Sequence, residues 1–348
     1  MNNKTQKIVL ASALATGIAA VVGCVSAVSH TITKKLMQIA LDREQPKMPQ
    51  KAQSSMMGNM NIDLSAVIDG NRAAMEKLQN SGAQTVQIES FDGVRLTGHY
   101  LKSENEKRIL IAMHGWRSSW LTDFAAIADF WRESGCSVLY VEQRAQNNSG
   151  GDYMGFGLLE RYDCLEWVKW IDENVNAEPR VPIYLCGISM GATSVLMASG
   201  LEMPTHVHGV IADCGFTSPE AIWRQVVEKN FKLSYKVRQS TADKICRQKL
   251  NAGAAEVSTL DVLRTGHIPV LLIHGSDDHF VPVEMTYENY KACAAPKRLL
   301  IVPGAEHGLS YYIDPQSYQR VCLAFWADFD NYTPPVAQKA DAVSESAE

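Results

Sequence analysis

Residues Tyr184 to Thr193 read Tyr-Leu-Cys-Gly-Ile-Ser-Met-Gly-Ala-Thr, an apolar run followed by a Gly-x-Ser-x-Gly motif and small residues. The pattern predicts a strand, a tight turn and a helix, with Ser189 at the turn. Gly187 and Gly191 fit there because a Cβ atom would clash with the neighbouring backbone. The turn exposes the serine at the end of a sheet, beside the positive end of the helix. The motif also fits an ordinary Gly-Ser turn, so other regions must decide.

The composition is that of a globular protein. The 348 residues are 46% hydrophobic and 20% charged, and they can form one large α/β domain with appendages. The formal net charge of −5 gives no reason to expect nucleic acid as a partner. Eight cysteines are present without zinc-type spacing, which favours buried thiols in a reducing compartment.

The N-terminus differs from the rest of the chain. Ile8 to Ser29 carries no charge and is long enough for a transmembrane helix, so residues 1–35 are predicted to be a membrane anchor or signal segment. A cleaved signal peptide and a lipoprotein, with Cys24 in a loose lipobox, are the alternatives. The flanking basic residues favour a membrane-anchored protein with a cytoplasmic catalytic domain, against a secreted one.

Three further regions follow from composition. Residues 36–80 are predicted to be a linker, with Gln45 to Asn61 rich in polar residues, and a helix over Leu64 to Leu78. Residues 81–332 form the predicted catalytic domain. The polar tail 333–348 is predicted to be disordered.

The catalytic region alternates short apolar runs with amphipathic ones. A hairpin is predicted around Asp92-Gly93, followed by buried strands such as Arg108–Met113 and Pro182–Cys186. Such alternation predicts an α/β fold with a mostly parallel sheet covered by helices on both faces. Catalytic groups then belong at the carboxyl ends of the strands.

Candidate partners for Ser189 follow later strands. A serine nucleophile needs a base, and the base needs an orienting carboxylate. Asp278 lies in the loop after the strand ending at His274-Gly275, and His307 follows the last strand. Asp277 and Asp213 are alternative acids. A Ser189, Asp278 and His307 triad requires no metal or cofactor.

An oxyanion hole requires two backbone N–H donors. Met190, at the start of the helix after Ser189, is one candidate. Trp116, in the loop after His114-Gly115, is the other, although this loop also fits a simple turn at a strand end.

From Thr85 to Phe329 the chain resembles α/β-hydrolase fold proteins, through His114-Gly115, the Ser189 motif, His274-Gly275 to Val281-Pro282, and Glu306-His307-Gly308. Within that superfamily it resembles bacterial membrane-anchored serine hydrolases of the Bem46-like or serine aminopeptidase-type, lipase-like set. The chain departs from the usual Asp-x-Arg-x-His-Gly-x-Ser pattern, with Glu142, Gln146 and Asn147 in place of the Asp, His and Gly.

The segment 217–263 is predicted to be a small helical cap. Its apolar residues could line an acyl or aryl pocket or simply pack on the domain; they are Trp223, Val226, Val227, Phe231, Leu233 and Tyr235. Four basic residues of this segment are read as a solvated face: Lys229, Lys232, Lys236 and Arg238.

Together these features predict a serine hydrolase that cleaves carboxylic esters of small-molecule acyl substrates through an acyl-enzyme. A peptidase or amidase with the same triad is one alternative. A membrane-tethered binding protein without catalytic activity is the other.

Overall fold

The computed structural model describes residues 29–44 and 64–332. Most of the predicted N-terminal segment, the predicted linker Gln45–Asn61 and the predicted tail 333–348 lie outside these residues.

One eight-stranded sheet forms the centre of the domain. Its strands are β1 (Gln84–Glu89), β2 (Arg95–Leu101), β3 (Arg108–Met113), β4 (Cys136–Glu142), β5 (Ile183–Ile188), β6 (Val207–Asp213), β7 (Val270–Gly275) and β8 (Lys297–Val302). The spatial order is β1-β2-β4-β3-β5-β6-β7-β8.

The hairpin of β1 and β2 is antiparallel, and β2 pairs antiparallel with β4. All pairs from β4 through β3 to β8 are parallel. Every residue of β3, β4 and β7 is buried, which explains why these strands read as continuous apolar runs rather than alternating ones. The α/β-hydrolase fold class predicted from the sequence is therefore confirmed.

Eleven helices accompany the sheet in the described part of the chain. They are α1 (29–41), α2 (Leu64–Gln79), α3 (Trp120–Glu133), α4 (Glu160–Asn174), α5 (Met190–Ala198), α6 (Pro219–Gln225), α7 (Gln239–Leu250), α8 (Thr259–Thr265), α9 (Val283–Ala292), α10 (Ser310–Ile313) and α11 (Pro315–Phe329). A π-helical turn, Val226–Asn230, continues α6.

Two apolar cores cover the two faces of the sheet. On one face Trp167 of α4 and Val195 of α5 are fully buried against strand residues. On the other, Phe124 of α3 and Trp326 of α11 are 2% and 1% exposed. Truncating a buried aromatic of this kind to alanine costs about 3–5 kcal/mol, so these side chains contribute strongly to the stability of the domain.

A third apolar cluster lies outside the sheet. Met37 and Leu41 of α1 pack there with Phe216, Trp223 of α6 and Cys246 of α7. The segment between β6 and β7 thus meets the helix 29–41, which runs across the boundary predicted at residues 35 and 36.

The prediction of a transmembrane helix is contradicted. No helix among residues 29–44 and 64–332 is both long enough and apolar enough to span a bilayer. The apolar segment from which the prediction was made, Ile8 to Ser29, lies outside the described residues except for its last residue.

Candidate active site

Ser189 lies between β5 and α5 in a strained backbone conformation. Its φ is 55° and its ψ is −114°, a region that residues with a side chain rarely adopt. Its N–H donates to the Asp213 carbonyl at 2.8 Å, which ties the turn to the end of β6. The sharp turn projects the side chain from the sheet edge, and Ser189 remains 6% exposed.

The two glycines of the motif are required by close backbone approach. A Cβ atom at Gly187 would lie 2.3 Å from the Gly191 carbonyl carbon. One at Gly191 would lie 1.9 Å from the Met113 carbonyl oxygen at the end of β3. Because both obstacles are main-chain atoms, only glycine fits at either position.

The structure brings Ser189, His307 and Asp278 together. The Ser189 Oγ lies 2.9 Å from His307 Nε2, and His307 Nδ1 lies 2.6 Å from Asp278 Oδ2. The other carboxylate oxygen, Oδ1, accepts the N–H groups of Phe280 and Val281 at 2.9 and 2.8 Å. The orientation of the Asp278 carboxylate is therefore fixed by its own loop.

The electrostatics of the acid and the base are coupled. Burial opposes ionisation of Asp278, but the nearby charge of His307 and hydrogen bonds from His274 and His307 outweigh it and hold the pKa of this carboxyl well below its usual range. Burial alone would lower the pKa of His307, whereas the Asp278 carboxylate raises it well above the ordinary imidazole value. The pair thus favours a carboxylate facing an imidazole of increased basicity.

His274 is a member of this cluster that the sequence did not assign to it. The ring is fully buried, and Nε2 lies 3.0 Å from Asp278 Oδ2 and 2.9 Å from the Val281 carbonyl oxygen. Both partners are acceptors, so Nε2 carries the proton, and Nδ1 accepts from the Thr286 hydroxyl at 2.6 Å. The one sequence signal was the position of His274 at the end of β7.

Neither alternative acid forms a hydrogen bond or an ion pair with His307. Asp277 is exposed, and its carboxylate accepts from the Ser276 hydroxyl. Asp213 is buried, which raises its pKa to about 6, and its carboxylate accepts from Ser310 at 3.1 Å.

Cys214 completes the surroundings of the histidine. Its Sγ forms with Asp278 and His307 a cluster of potential metal ligands, all within 4.8 Å, in the described part of the chain. Both ring nitrogens of His307 already have hydrogen-bond partners, Ser189 and Asp278. Burial raises the pKa of the Cys214 thiol to about 11, so it stays protonated at neutral pH.

The loop after β3 carries the predicted oxyanion donor. The Gly115 N–H donates to Asp123 Oδ2 at 2.7 Å, and the Arg117 N–H donates to Gln146 Oε1 at 2.5 Å. These bonds hold the residues on both sides of Trp116 and leave the Trp116 N–H as the candidate donor of this loop. Met190 is the first residue of α5, where an N–H has no partner within the helix.

The residues that depart from the family pattern have structural partners. Gln146 fixes the loop beside Trp116 by accepting the Arg117 N–H. Glu142 accepts from His99 at 2.9 Å and from the Asn148 N–H at 2.6 Å. Asn147 donates to the Ser118 carbonyl at 3.0 Å.

The same loop holds the C-terminal end of α1. The Trp116 indole N–H donates to the Ala40 carbonyl at 2.9 Å. The Arg117 guanidinium donates to the carbonyls of Ile39 and Asp42 at 2.8 and 2.6 Å. These bonds satisfy carbonyls that the helix end leaves without partners, so α1 and the candidate oxyanion loop are joined.

Ser189 lines a cavity of about 760 Å³, a volume that includes the opening to solvent. Its walls come from α1, the loop at Trp116, and the segment between β6 and β7. The lining residues are Thr33, Leu36, Met37, Ile39, Ala40, Trp116, Phe156, Ser189, Phe216, Ile222, Trp223, Val226, Val227, Phe231, Tyr235, Arg238, Ala242 and Phe280. Five of the apolar residues expected in the cap lie in this wall, while Leu233 packs beside it.

Solved structures with the same fold show which class of fold this is. A Pyrococcus furiosus esterase, Pf2001, is similar over 73% of this chain and 94% of its own, with a TM-score of 0.60 and 22% identity. A puromycin-hydrolyzing peptidase of Mycobacterium tuberculosis is similar over 72% of this chain and 40% of its own, with a TM-score of 0.58 and 15% identity. These likenesses show the α/β-hydrolase fold.

Sequence relationships define the family. An uncharacterized Bacillus subtilis protein, YqkD, is 25% identical over 265 residues, which cover 76% of this chain and 86% of that protein. The model of the prolyl oligopeptidase family (Peptidase_S9) matches residues 122–329, more than half of the chain. The chain therefore belongs to the prolyl oligopeptidase family and is a serine hydrolase of the α/β-hydrolase type.

Proposed function

We propose that this protein hydrolyses carboxylic esters through an acyl-enzyme on Ser189. The observation that carries the proposal is the continuous hydrogen-bonded chain from Ser189 Oγ through His307 to Asp278, at 2.9 and 2.6 Å, with Ser189 in the lining of an apolar cavity. An ester with an apolar acyl group would place its carbonyl carbon beside Ser189 and its chain in the cavity.

The proposed reaction has two halves. Ser189 Oγ attacks the ester carbonyl while its proton passes to His307 Nε2, and the resulting imidazolium is stabilised by the Asp278 carboxylate. The N–H groups of Met190 and Trp116 stabilise the oxyanion. Collapse releases the alcohol, which takes the proton from His307. Water then attacks the acyl-enzyme with His307 as base, which releases the acid and restores Ser189.

The cavity wall favours esters over peptides. Recognition of a peptide amine calls for a carboxylate, but none of the described residues that line the cavity is acidic. Fourteen of the eighteen lining residues carry neither a hydroxyl group nor a charge, and the other four are Thr33, Ser189, Tyr235 and Arg238. Such a wall fits an aliphatic or aromatic acyl group.

A second candidate function is the hydrolysis of peptides or amides. It is favoured by the membership of residues 122–329 in the prolyl oligopeptidase family and by the fold shared with a puromycin-hydrolyzing peptidase. The same three side chains would serve that reaction, since they act on amides and esters alike. The narrower Bem46-like grouping remains a prediction.

The test is a substrate panel on the full-length protein. It compares p-nitrophenyl esters from acetate to palmitate with aminoacyl p-nitroanilides. We expect turnover of the esters with an optimum at an intermediate acyl length, and a loss of up to about 10⁶-fold in kcat for Ser189→Ala. Thermal unfolding of the variant controls for folding. Faster turnover of the anilides would favour the peptidase function, and ester turnover by folded Ser189→Ala would overturn the mechanism.

A further inference from the structure

We propose that Arg238, in the wall of the cavity, binds an anionic group at the far end of the substrate's apolar part. This inference rests on the proposed function and narrows it to acyl substrates that carry a carboxylate or a similar oxyanion.

Arg238 is a buried cation without an acid partner. It is 8% exposed, and no carboxylate of the described residues lies within ion-pair distance of its guanidinium. One terminal nitrogen donates to the Ser234 carbonyl at 2.7 Å, while Nε, itself buried, has no hydrogen-bond partner. A buried charge of this kind is costly unless a counter-charge stabilises it.

None of the five acids of the segment 217–263 forms an ion pair with Arg238, and Glu228 accepts the Tyr235 N–H at 3.3 Å. Glu220 pairs with Arg224 at 2.5 Å, and Asp243 pairs with Arg247 at 2.9 Å. Arg238 therefore has no ion-pair partner among the described residues, and an anionic ligand could supply the missing counter-charge.

The position of Arg238 adds a second feature that favours anions. Arg238 is the N-cap of the twelve-residue helix α7, which has no side-chain cap and no acidic residue in its first turn. The positive end of the helix dipole is therefore not offset by a side chain. Ala242, one turn into α7, also lines the cavity, so this end of the helix borders the proposed ligand.

The rest of the cavity defines the remainder of the ligand. Arg238 is the one charged residue in the described lining, and Ser189 lines the same cavity. A ligand that contacts both needs an ester carbonyl at one end, an apolar body and an oxyanion at the other. A guanidinium binds a carboxylate with two parallel hydrogen bonds, which makes a carboxylate the best match.

A binding experiment tests the inference apart from catalysis. It measures the affinities of decanoate and decanol for the full-length Ser189→Ala protein by quenching of tryptophan fluorescence. We expect decanoate to bind at least about tenfold more tightly than decanol, and Arg238→Met to remove this difference. Arg238→Lys should restore part of it, because it restores the charge without the planar fork. Lys236→Met, at an exposed position of the same loop, is the matched control and should change neither affinity.

An ester experiment connects this site to turnover. It compares mono-p-nitrophenyl adipate with p-nitrophenyl hexanoate, which have acyl chains of equal length. Arg238→Met should raise KM for the adipate ester about tenfold or more relative to KM for the hexanoate ester, whereas the control Lys236→Met should leave kcat/KM for both esters unchanged. Equal effects on both esters, or a decanoate preference that survives in Arg238→Met, would overturn the inference. Absence of ester turnover with an intact decanoate preference would instead contradict the proposed function alone.

Discussion

The buried polar groups at the carboxyl edge of the sheet and those in the wall of the cavity differ in their hydrogen-bond partners. At the sheet edge, Asp278 accepts hydrogen bonds from two backbone N–H groups and lies within bonding distance of two histidine rings. In the cavity wall, the Trp223 indole, the Tyr235 hydroxyl and Arg238 Nε are buried without a hydrogen-bond partner among the described residues. Hydrogen bonds within the chain thus orient the carboxylate of the triad, whereas these three donors of the wall are available to a ligand.

Apart from loss of the nucleophile itself, the largest effect expected at the sheet edge comes from Asp278. Asp278→Asn should lower kcat about 10⁴-fold, because the amide can stabilise neither the correct His307 tautomer nor its charged form. Asp277→Asn is the matched control, since this neighbour is exposed and does not contact His307. Ester hydrolysis by both purified variants measures the difference. Equal losses of kcat would contradict the assignment of Asp278 as the acid of the triad.

The pH dependence gives a smaller, graded effect. His307 acts as a base only when it is neutral, and Asp278 raises the pKa of this imidazole. The rate should therefore fall about tenfold per pH unit on the acid side, with a midpoint above the ordinary value of about 6.5.

The midpoint can be checked from kcat/KM measured between pH 5 and pH 10. Asp277→Asn should keep the midpoint of the wild type. A midpoint below the ordinary histidine value in the wild-type protein would contradict the coupling between His307 and Asp278.

The smallest effect concerns the junction between the two regions. Arg117→Met removes the guanidinium bonds to the carbonyls of Ile39 and Asp42 and should lower the free energy of unfolding by about 1.5–3 kcal/mol. Because α1 is joined to the loop at Trp116, kcat should also fall, by less than the about 10²–10³-fold expected for loss of an oxyanion donor.

Urea unfolding and ester kinetics measure these two quantities. Arg132→Met is the control, because Arg132 lies on the exposed face of α3 and forms only surface ion pairs. A normal kcat in a destabilised Arg117→Met protein would contradict the expectation that α1 influences the geometry of the oxyanion loop.

The sequence predicted the groups at the carboxyl edge of the sheet better than those in the wall of the cavity. The motif around Ser189 and the polar residues after β7 and β8 could be located because parallel strands end at one edge. His274 was recognised as the end of a strand, but its contact with Asp278 depends on how the loop folds back through Val281. Local spacing does not contain that information.

The cavity was the harder part to predict. The sequence grouped Arg238 with Lys229, Lys232 and Lys236 as a solvated face, yet the three lysines are exposed and Arg238 is buried. The packing of residues 29–41 against the cavity is equally invisible in local patterns, because it joins segments about two hundred positions apart. Long-range packing decides both features.

The most direct measurement is the reaction of the full-length protein with a fluorophosphonate probe, followed by mass spectrometry of the digested protein. The account predicts one phosphonyl group on the peptide that contains Ser189, and no labelling of the folded Ser189→Ala variant. Failure of the folded wild-type protein to react, or labelling at a different residue, would contradict the claim that Ser189 is the nucleophile.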